Sequence, residues 1–527
     1  MKLHRLSIPY RAASRGLSLG LMLFFVGQSL GDAEELPVPV SGPTLVALGA
    51  LGVAAAAAWQ VAYYRRFEYQ LTGDGLEIAS GVLSRRNREI PLRRIQNVDI
   101  SRNVIQRALG IAVLDVETAG GGATEASLRF VGYDEAKRVQ REIQRLKRDE
   151  ETDGETDGEA TGADSDERET VLFELQTSEL ALLSALSFDF RYLSLLAFGP
   201  AALPFVPGFA ELAFLGGVVL VALLTGAMWA LSAALTFARY YDFRLSRLGD
   251  ELRYERGLLQ RYDGSIPLGK VQTLTLDANV LMRRFGYTTL AVETAGYGPS
   301  QAPSGGSEAA IPLATRERVL RLAREVEDFG VSAEGGDGAV SREGSEAAET
   351  VELPAFSRPP KRARTRYAVR YALVVVGLAA ALFALQAVIG PPAPVPVPLA
   401  SIPLVFLLVV PVAAHLKWRN RGYAVGQDHV LTRNGFWSRT TKVVPYYRVQ
   451  TVIQTQTIFQ RRRRLATVVI DTASSAGGVA AAVDVDAETA RELRETVGEE
   501  LQASLAARRA DATGHSPRRD RDSPRRD

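Results

Sequence analysis

Polar and apolar positions follow two regimes along the chain. Three stretches, residues 16–64, 192–238 and 371–416, contain no Lys or Arg. Each is long enough to cross a bilayer twice, since one crossing takes about 20 apolar residues. Each is interrupted near its middle, by Gly31-Asp32-Ala33-Glu34-Glu35-Leu36-Pro37, by Pro204-Phe205-Val206-Pro207-Gly208 and by Gly390-Pro391-Pro392-Ala393-Pro394. Such polar or Pro/Gly-rich segments stop a helix and let the chain reverse. The pattern predicts three transmembrane hairpins, with helices over residues 12–30, 44–63, 188–206, 212–237, 367–389 and 397–416. Asp189 and Arg191 open the third helix, where Arg191 reads as an interfacial end reaching back to the headgroups. The first helix, with Lys2, Arg5, Arg11 and Arg15 ahead of it and small residues near Gly31, also fits a signal peptide, whose removal would leave the remaining topology unchanged.

After each hairpin the period shifts to two. Leu76 and Ile78, Val82 beyond a glycine turn, Ile90, Ile95, and Ile111, Val113 and Val116 form short β-branched runs separated by turn residues, as half-buried antiparallel strands require. An amphipathic helix is predicted to follow. Its apolar positions are Ala136, Val139, Ile143 and Leu146 in the first copy, Val319, Leu322 and Val326 in the second, and Leu493, Val497, Leu501 and Leu505 in the third. The three copies, starting at Tyr69, Leu245 and Tyr423, superpose without a gap. Gly81, Gly257 and Gly435 correspond, as do Pro91, Pro267 and Pro445, then Gln96, Gln272 and Gln450, and finally Glu117, Glu293 and Asp471; the offsets are 176 and 178 throughout. A unit of hairpin plus soluble module is therefore triplicated.

The order of a strand and glycine turn, P-x-x-[RK]-[IV]-Q, a basic residue, and a hydrophobic strand ending in [ED]-T-A, all behind a transmembrane pair, resembles the bacterial pleckstrin-homology module of the YdbS/YdbT-like membrane proteins. The third copy departs most, with Asp471-Thr472-Ala473-Ser474 in place of Glu-Thr-Ala-Gly and Arg463-Arg464 in place of Leu109-Gly110 and Phe285-Gly286. The resemblance implies a membrane α plus β fold, in which each transmembrane hairpin is followed by a small β-barrel or sandwich capped by a C-terminal helix. It implies little about function. The resulting division is hairpin 1–66, module 67–148, acidic disordered linker 149–178, hairpin 179–240, module 241–329, disordered linker 330–357, hairpin 358–421, module 422–507 and disordered tail 508–527.

Charge sets the orientation. Arg65 and Arg66, Arg239, the run Lys361-Arg362-Ala363-Arg364-Thr365-Arg366, and Lys417, Arg419 and Arg421 flank one side of the hairpins, and the hairpin loops carry no basic residue. Because Lys and Arg stay on the cytoplasmic side, both termini and the three modules are expected in the cytoplasm of a multi-pass protein of the cell membrane. Trp59, Tyr63, Tyr64, Phe237, Tyr240, Tyr241, Trp418 and Tyr423 fall where rings meet the headgroup layer. Between residues 149 and 169 there are 11 acidic residues and one basic, a self-repelling run without an apolar face. It lacks the register of a calcium loop.

Composition then narrows the chemistry. The chain holds 62 Lys+Arg against 60 Asp+Glu, four scattered His and no Cys. Disulfides, thiolate metal sites and cysteine nucleophiles are excluded, and no two His sit at a helical ligand spacing. Gly73-Asp74-Gly75 and Gly120-Gly121-Gly122 lack the context of a phosphate loop. Glu117, Glu293 and Asp471 have no second carboxylate or base in register, and each reads as a structural acid paired with its own module's Arg. No catalytic residue, metal site or cofactor is expected, and no nucleic-acid partner. The recurring basic positions are Arg94, Lys270 and Arg448, and Arg107, Arg283 and Arg461. Held beneath a bilayer, such residues gain about 1 kcal/mol each from anionic headgroups. The sequence thus points to a non-enzymatic scaffold whose modules contact membrane lipids or a protein partner. A transporter is the rival, weakened by the few polar groups (Gln28, Gln60, Gln386) in the helices, and a lipid-modifying enzyme stands third.

Overall fold

A computed structural model describes residues 1–31, 42–118, 126–153, 169–187, 215–295, 308–327, 353–389, 399–474 and 478–512. In chain order, helices α1 (Ser7–Gly31) and α2 (Gly42–Arg66) precede β1 (Glu68–Leu71), β2 (Gly75–Ser80), β3 (Arg86–Pro91), β4 (Ile95–Asn103), the short α3 (Val104–Ala108), β5 (Ile111–Thr118), β6 (Ala126–Gly132) and α4 (Tyr133–Asp153). Next come β7 (Thr170–Glu174), α5 (Thr177–Leu186) and α6 (Leu215–Tyr240). The second module runs β8 (Arg244–Leu248), β9 (Glu251–Arg256), β10 (Gln260–Pro267), β11 (Val271–Ala278), α7 (Val280–Phe285), β12 (Tyr287–Thr294), β13 (Glu308–Thr315) and α8 (Arg316–Val326). Helix α9 (Lys361–Ile389), a 3-10 helix (Leu399–Leu408) and α10 (Val410–Arg419) lead to the third: β14 (Gly422–Val425), β15 (His429–Gly435), β16 (Arg439–Pro445), β17 (Val449–Thr455), α11 (Ile458–Arg461), β18 (Leu465–Thr472), β19 (Ala480–Asp486) and α12 (Ala487–Ala512).

Among the described residues, three helices are long and apolar enough to span a membrane: Pro43–Arg66, Ala222–Tyr240 and Lys361–Val388. Helices α1 and α2 pack along each other, and glycines permit the approach: a Cβ on Gly52 would stand 2.9 Å from Leu23 Cδ1. The helix expected over 188–206 lies outside the described residues. The segment expected as a helix over 397–416 instead divides into the 3-10 stretch and α10, because Pro403 and Pro411 each lack the N–H that a continuous α-helix needs there. The expected linker 149–178 is structured at its ends: α4 continues to Asp153, and β7 forms because Phe173 is buried and stacks under Arg318, 4.5 Å from its ring centroid. The C-terminal helix reaches Ala512, past the expected start of the tail at 508.

Each module buries one face of its strands. In the first, Tyr69, Leu76, Ile90, Ile100, Leu114 and Leu128 pack with Ala136, Val139 and Ile143 of α4. Fully burying one such large side chain stabilises by about 1.5–3 kcal/mol. Val319, Leu322 and Val326 are buried in the second, and Leu493 and Val497 in the third, whereas Leu505 lies beyond the sheet and is exposed. The three corresponding glycines have a common cause. Gly81, Gly257 and Gly435 hold φ of +113°, +109° and +138°, and a Cβ would come within 1.9 Å of the carbonyl oxygen three residues on. Only glycine satisfies both demands.

The chain divides into two compact units, residues 1–171 with 241–267, and residues 172–240 with 268–527. In the first unit β1, β2 and β3 form one sheet, while β6-β5-β4-β10-β9-β8 lie side by side in another. In the second, β13-β12-β11-β16-β15-β14 form a six-stranded sheet and β17-β18-β19 a three-stranded one. The last three strands of one copy of the repeat are thus extended by the first three of the next, through β4 with β10 and through β11 with β16.

Candidate lipid-contact surface

The first and third modules each have two chemically different ends. At one end, where the helices lead into the first strand, lie the glycine turn after the second strand and the short helix after the fourth. The turns carry apolar pairs: Val82-Leu83, Leu258-Leu259 and Phe436-Trp437, with Leu83 87% exposed. The short helices do the same, with Val104 and Ile105, Phe285, and Ile458 and Phe459 exposed. Their geometry is fixed by capping: Asn103, Asn279 and Thr457 each accept a hydrogen bond from the backbone N–H three residues on. The opposite end carries polar turns at Gly73-Asp74 and Gln427-Asp428, together with the 3-10 turns Leu92–Arg94 and Tyr446–Arg448, to which Leu268–Lys270 corresponds in the second copy.

Contacts tie the apolar end to the helices. Arg66 at the end of α2 donates to Val82 O at 2.7 Å, and Asn103 to the Tyr10 hydroxyl of α1 at 3.0 Å. Phe237 and Tyr240 of α6 pack with Leu281 and Tyr287. In the third module Asn420 donates to Phe436 O at 3.2 Å, and Arg362 of α9 to Arg464 O at 3.0 Å. Asp484, fully buried and at φ 61°, accepts from Arg366 of α9, from Arg421 at 3.0 Å and from Gln460 at 2.8 Å.

The six recurring basic residues separate between these ends. Arg107, Arg283 and Arg461 sit on the short helices; Arg94, Lys270 and Arg448 sit on the 3-10 turns. The intervening strand has seven to nine residues, so the two sets stand about 23–30 Å apart at ~3.3 Å per residue. Arg107 donates to Leu258 O at 2.8 Å, and Arg448 donates to Gly269 O. Arg461 is exposed.

Arg283 has the most specific setting. With Arg316, Arg433 and Arg439 it lines a cavity of about 180 Å³, whose described lining contains no carboxylate. Burial lowers the pKa of Arg283 and Arg439. Burial, then the charges of Arg439, Arg316 and Arg358, lower that of Arg433 to about 10. All remain cationic near neutrality, and the Arg433 guanidinium lies over the Phe356 ring, 3.5 Å from its centroid. Like charges held together in a partly desolvated cavity favour an incoming anion. In the first module a larger cleft of about 730 Å³ is lined by Arg11, Arg15 and Arg129, with Asp115 among them. No group of three or more His, Asp or Glu that could hold a metal occurs among the described residues.

The recurring acid is not paired as expected in the second module. Glu293, 1% exposed, receives Lys442 Nζ at 2.7 Å, Thr275 Oγ1 at 2.8 Å and Ser474 Oγ at 3.1 Å. Its cation therefore comes from β16 of the following copy, because the sheet is shared between copies.

The Bacterial PH domain family matches the chain three times, over residues 22–147, 201–329 and 372–501. The chain belongs to this family. Each family match begins ahead of the strands, within or beside the helical segment, so helices and sheet recur as one unit. The UPF0699 transmembrane protein YdbT of Bacillus subtilis (strain 168) is 24% identical over 445 residues, covering 82% of this chain and 84% of that protein. No solved structure matches. The chain is accordingly a YdbT-like membrane protein with sheet-rich PH-like domains. The apolar turn pairs went unnoticed in the sequence, although their recurrence behind Gly81, Gly257 and Gly435 is a readable signal. Arg316, Arg433 and Arg439 carried none, since they come from different elements and different copies.

Proposed function

We propose that this is a multi-pass, non-enzymatic scaffold, built on three helical hairpins, whose PH-like domains lie against the cytoplasmic leaflet and hold anionic lipid headgroups. The reading rests chiefly on four guanidiniums converging on one cavity without a carboxylate, at the end of the module that joins the helices. Phe285, exposed next to Gly286 of the lining, and Trp437, exposed between Arg433 and Arg439 in the chain, suit the interfacial layer, as do the aromatic residues at the helix ends. Headgroup contact belongs to Arg107, Arg283 and Arg461. Arg94, Lys270 and Arg448 lie more than two Debye lengths away, at about 8 Å each in physiological salt.

Native mass spectrometry of the full chain released from bilayers containing phosphatidylglycerol tests this. The parent should retain anionic lipid, and Arg283→Gln with Arg433→Gln and Arg439→Gln should lower retention at least tenfold, given about 1 kcal/mol per arginine. Arg94→Gln with Arg448→Gln should leave it unchanged. Equal retention by the parent and the triple variant would refute the headgroup site.

A further inference from the structure

The two internal junctions use one register. The first pairs Arg102 with Arg261, Ser101 with Tyr262 and Ile100 with Asp263. The second pairs Ala278 with Arg439, Asp277 with Thr440 and Leu276 with Thr441. With the repeat offsets of 176 and 178 these are the same three pairs. The strands that would make a third such junction are both at sheet edges: β3 ends the sheet β1-β2-β3, and β17 begins the sheet β17-β18-β19.

Burial marks both edges as uncovered. Asn87, Arg88 and Glu89 of β3 are exposed, whereas their counterparts Thr441, Lys442 and Val443 of β16 are buried. Gln450, Thr451 and Ile453 of β17 are exposed, whereas Gln272, Thr273 and Thr275 of β11 are buried. Strand β17, VQTVIQT, has neither charge nor proline, the features that keep an edge from pairing.

We propose that β17 of one chain pairs with β3 of a second copy, antiparallel and in the register of the internal junctions, so that copies associate head to tail through continuous sheets. That register sets Val452 opposite Glu89, Ile453 opposite Arg88 and Gln454 opposite Asn87. It also brings Arg88, the counterpart of Lys442, to Asp471, the counterpart of Glu293, and so repeats the ion pair of the second junction between chains. The contact is heterologous, closing into a ring or continuing as a row according to the rotation between copies.

The chain has no cysteine, so introduced thiols report alone. Two differently tagged copies, one Asn87→Cys and one Gln454→Cys, a pair that leaves Arg88 in place, are expressed in one membrane and oxidised. Opposed Cα atoms in an antiparallel pair lie about 4.5–5.5 Å apart, inside the range a disulfide spans. The expected product has twice the chain's mass and carries both tags. Moving the second thiol to Thr451→Cys, about 10 Å out of register, should reduce the product at least tenfold. As an arm without cysteines, mass photometry of the parent in detergent should show two or more copies, and Arg88→Glu should shift it to one. Thiol-reactive copies that give no mixed-tag product, a link within a single chain, or a parent of single-copy mass would overturn the proposal.

Discussion

At the scale of single residues, the decisive groups are buried charges whose partners come from another copy of the repeat. Glu293 and Lys442 are both nearly inaccessible, and the carboxylate is completed by Thr275 and Ser474. Removing one partner strands the other in a poorly solvated site, which costs about 3–5 kcal/mol, while replacing both by neutral groups costs far less. Lys442→Ala should therefore lower the melting temperature of the solubilised protein sharply, and Glu293→Gln with Lys442→Met should restore most of it. Similar melting of single and double variants would show that the pair contributes little. Sequence reasoning found Glu293 by its recurrence but assigned the cation to its own module. The register of strands between copies, which decides the partner, leaves no mark at either position.

Elements were legible to the extent that one regular pattern governs them. The alternation of apolar residues marked the strands, and the three- and four-residue spacing marked α4, α8 and α12. Pro403 and Pro411 were visible within the last apolar stretch, yet hydropathy alone made it one helix. The apolar pattern predicts a helix from 367; the structure begins α9 at Lys361, where Arg362 and Arg366 are neutralised by Asp486 and Asp484. These ion pairs join α9 to β19. Asp484→Asn keeps the shape of the side chain but leaves Arg366 and Arg421 facing each other without an anion. Hydrogen exchange should accelerate in β19 and in the first turns of α9, with protection in β2 unchanged. Unaltered exchange in β19 would mean that Asp484 does not hold these elements together.

For the whole molecule, triplication was plain in the sequence, because the correspondences run without a gap through each module. The sharing of sheets between copies was not, because the edges of a β-sandwich look alike whether a neighbouring strand is local or distant. The same holds for the two ends of each module. Arg94 and Arg107 are equally basic in sequence, and only the length of β4 separates them. The outcome is a membrane protein whose first and third PH-like domains present apolar turns and arginines at the end joined to the helices, and polar turns at the other. That arrangement is the central claim, and nitroxide labels report it directly. Single cysteines at Leu83 and Phe459, and at the polar turns Asp74 and Asp428, are labelled in the full chain in nanodiscs containing anionic lipid. Collision with oxygen, which concentrates in the bilayer, is compared with collision with a water-soluble nickel complex. Labels at 83 and 459 are expected to be oxygen-accessible and shielded from nickel, and labels at 74 and 428 the reverse. Equal nickel accessibility at all four positions would contradict the placement of these domains against the membrane.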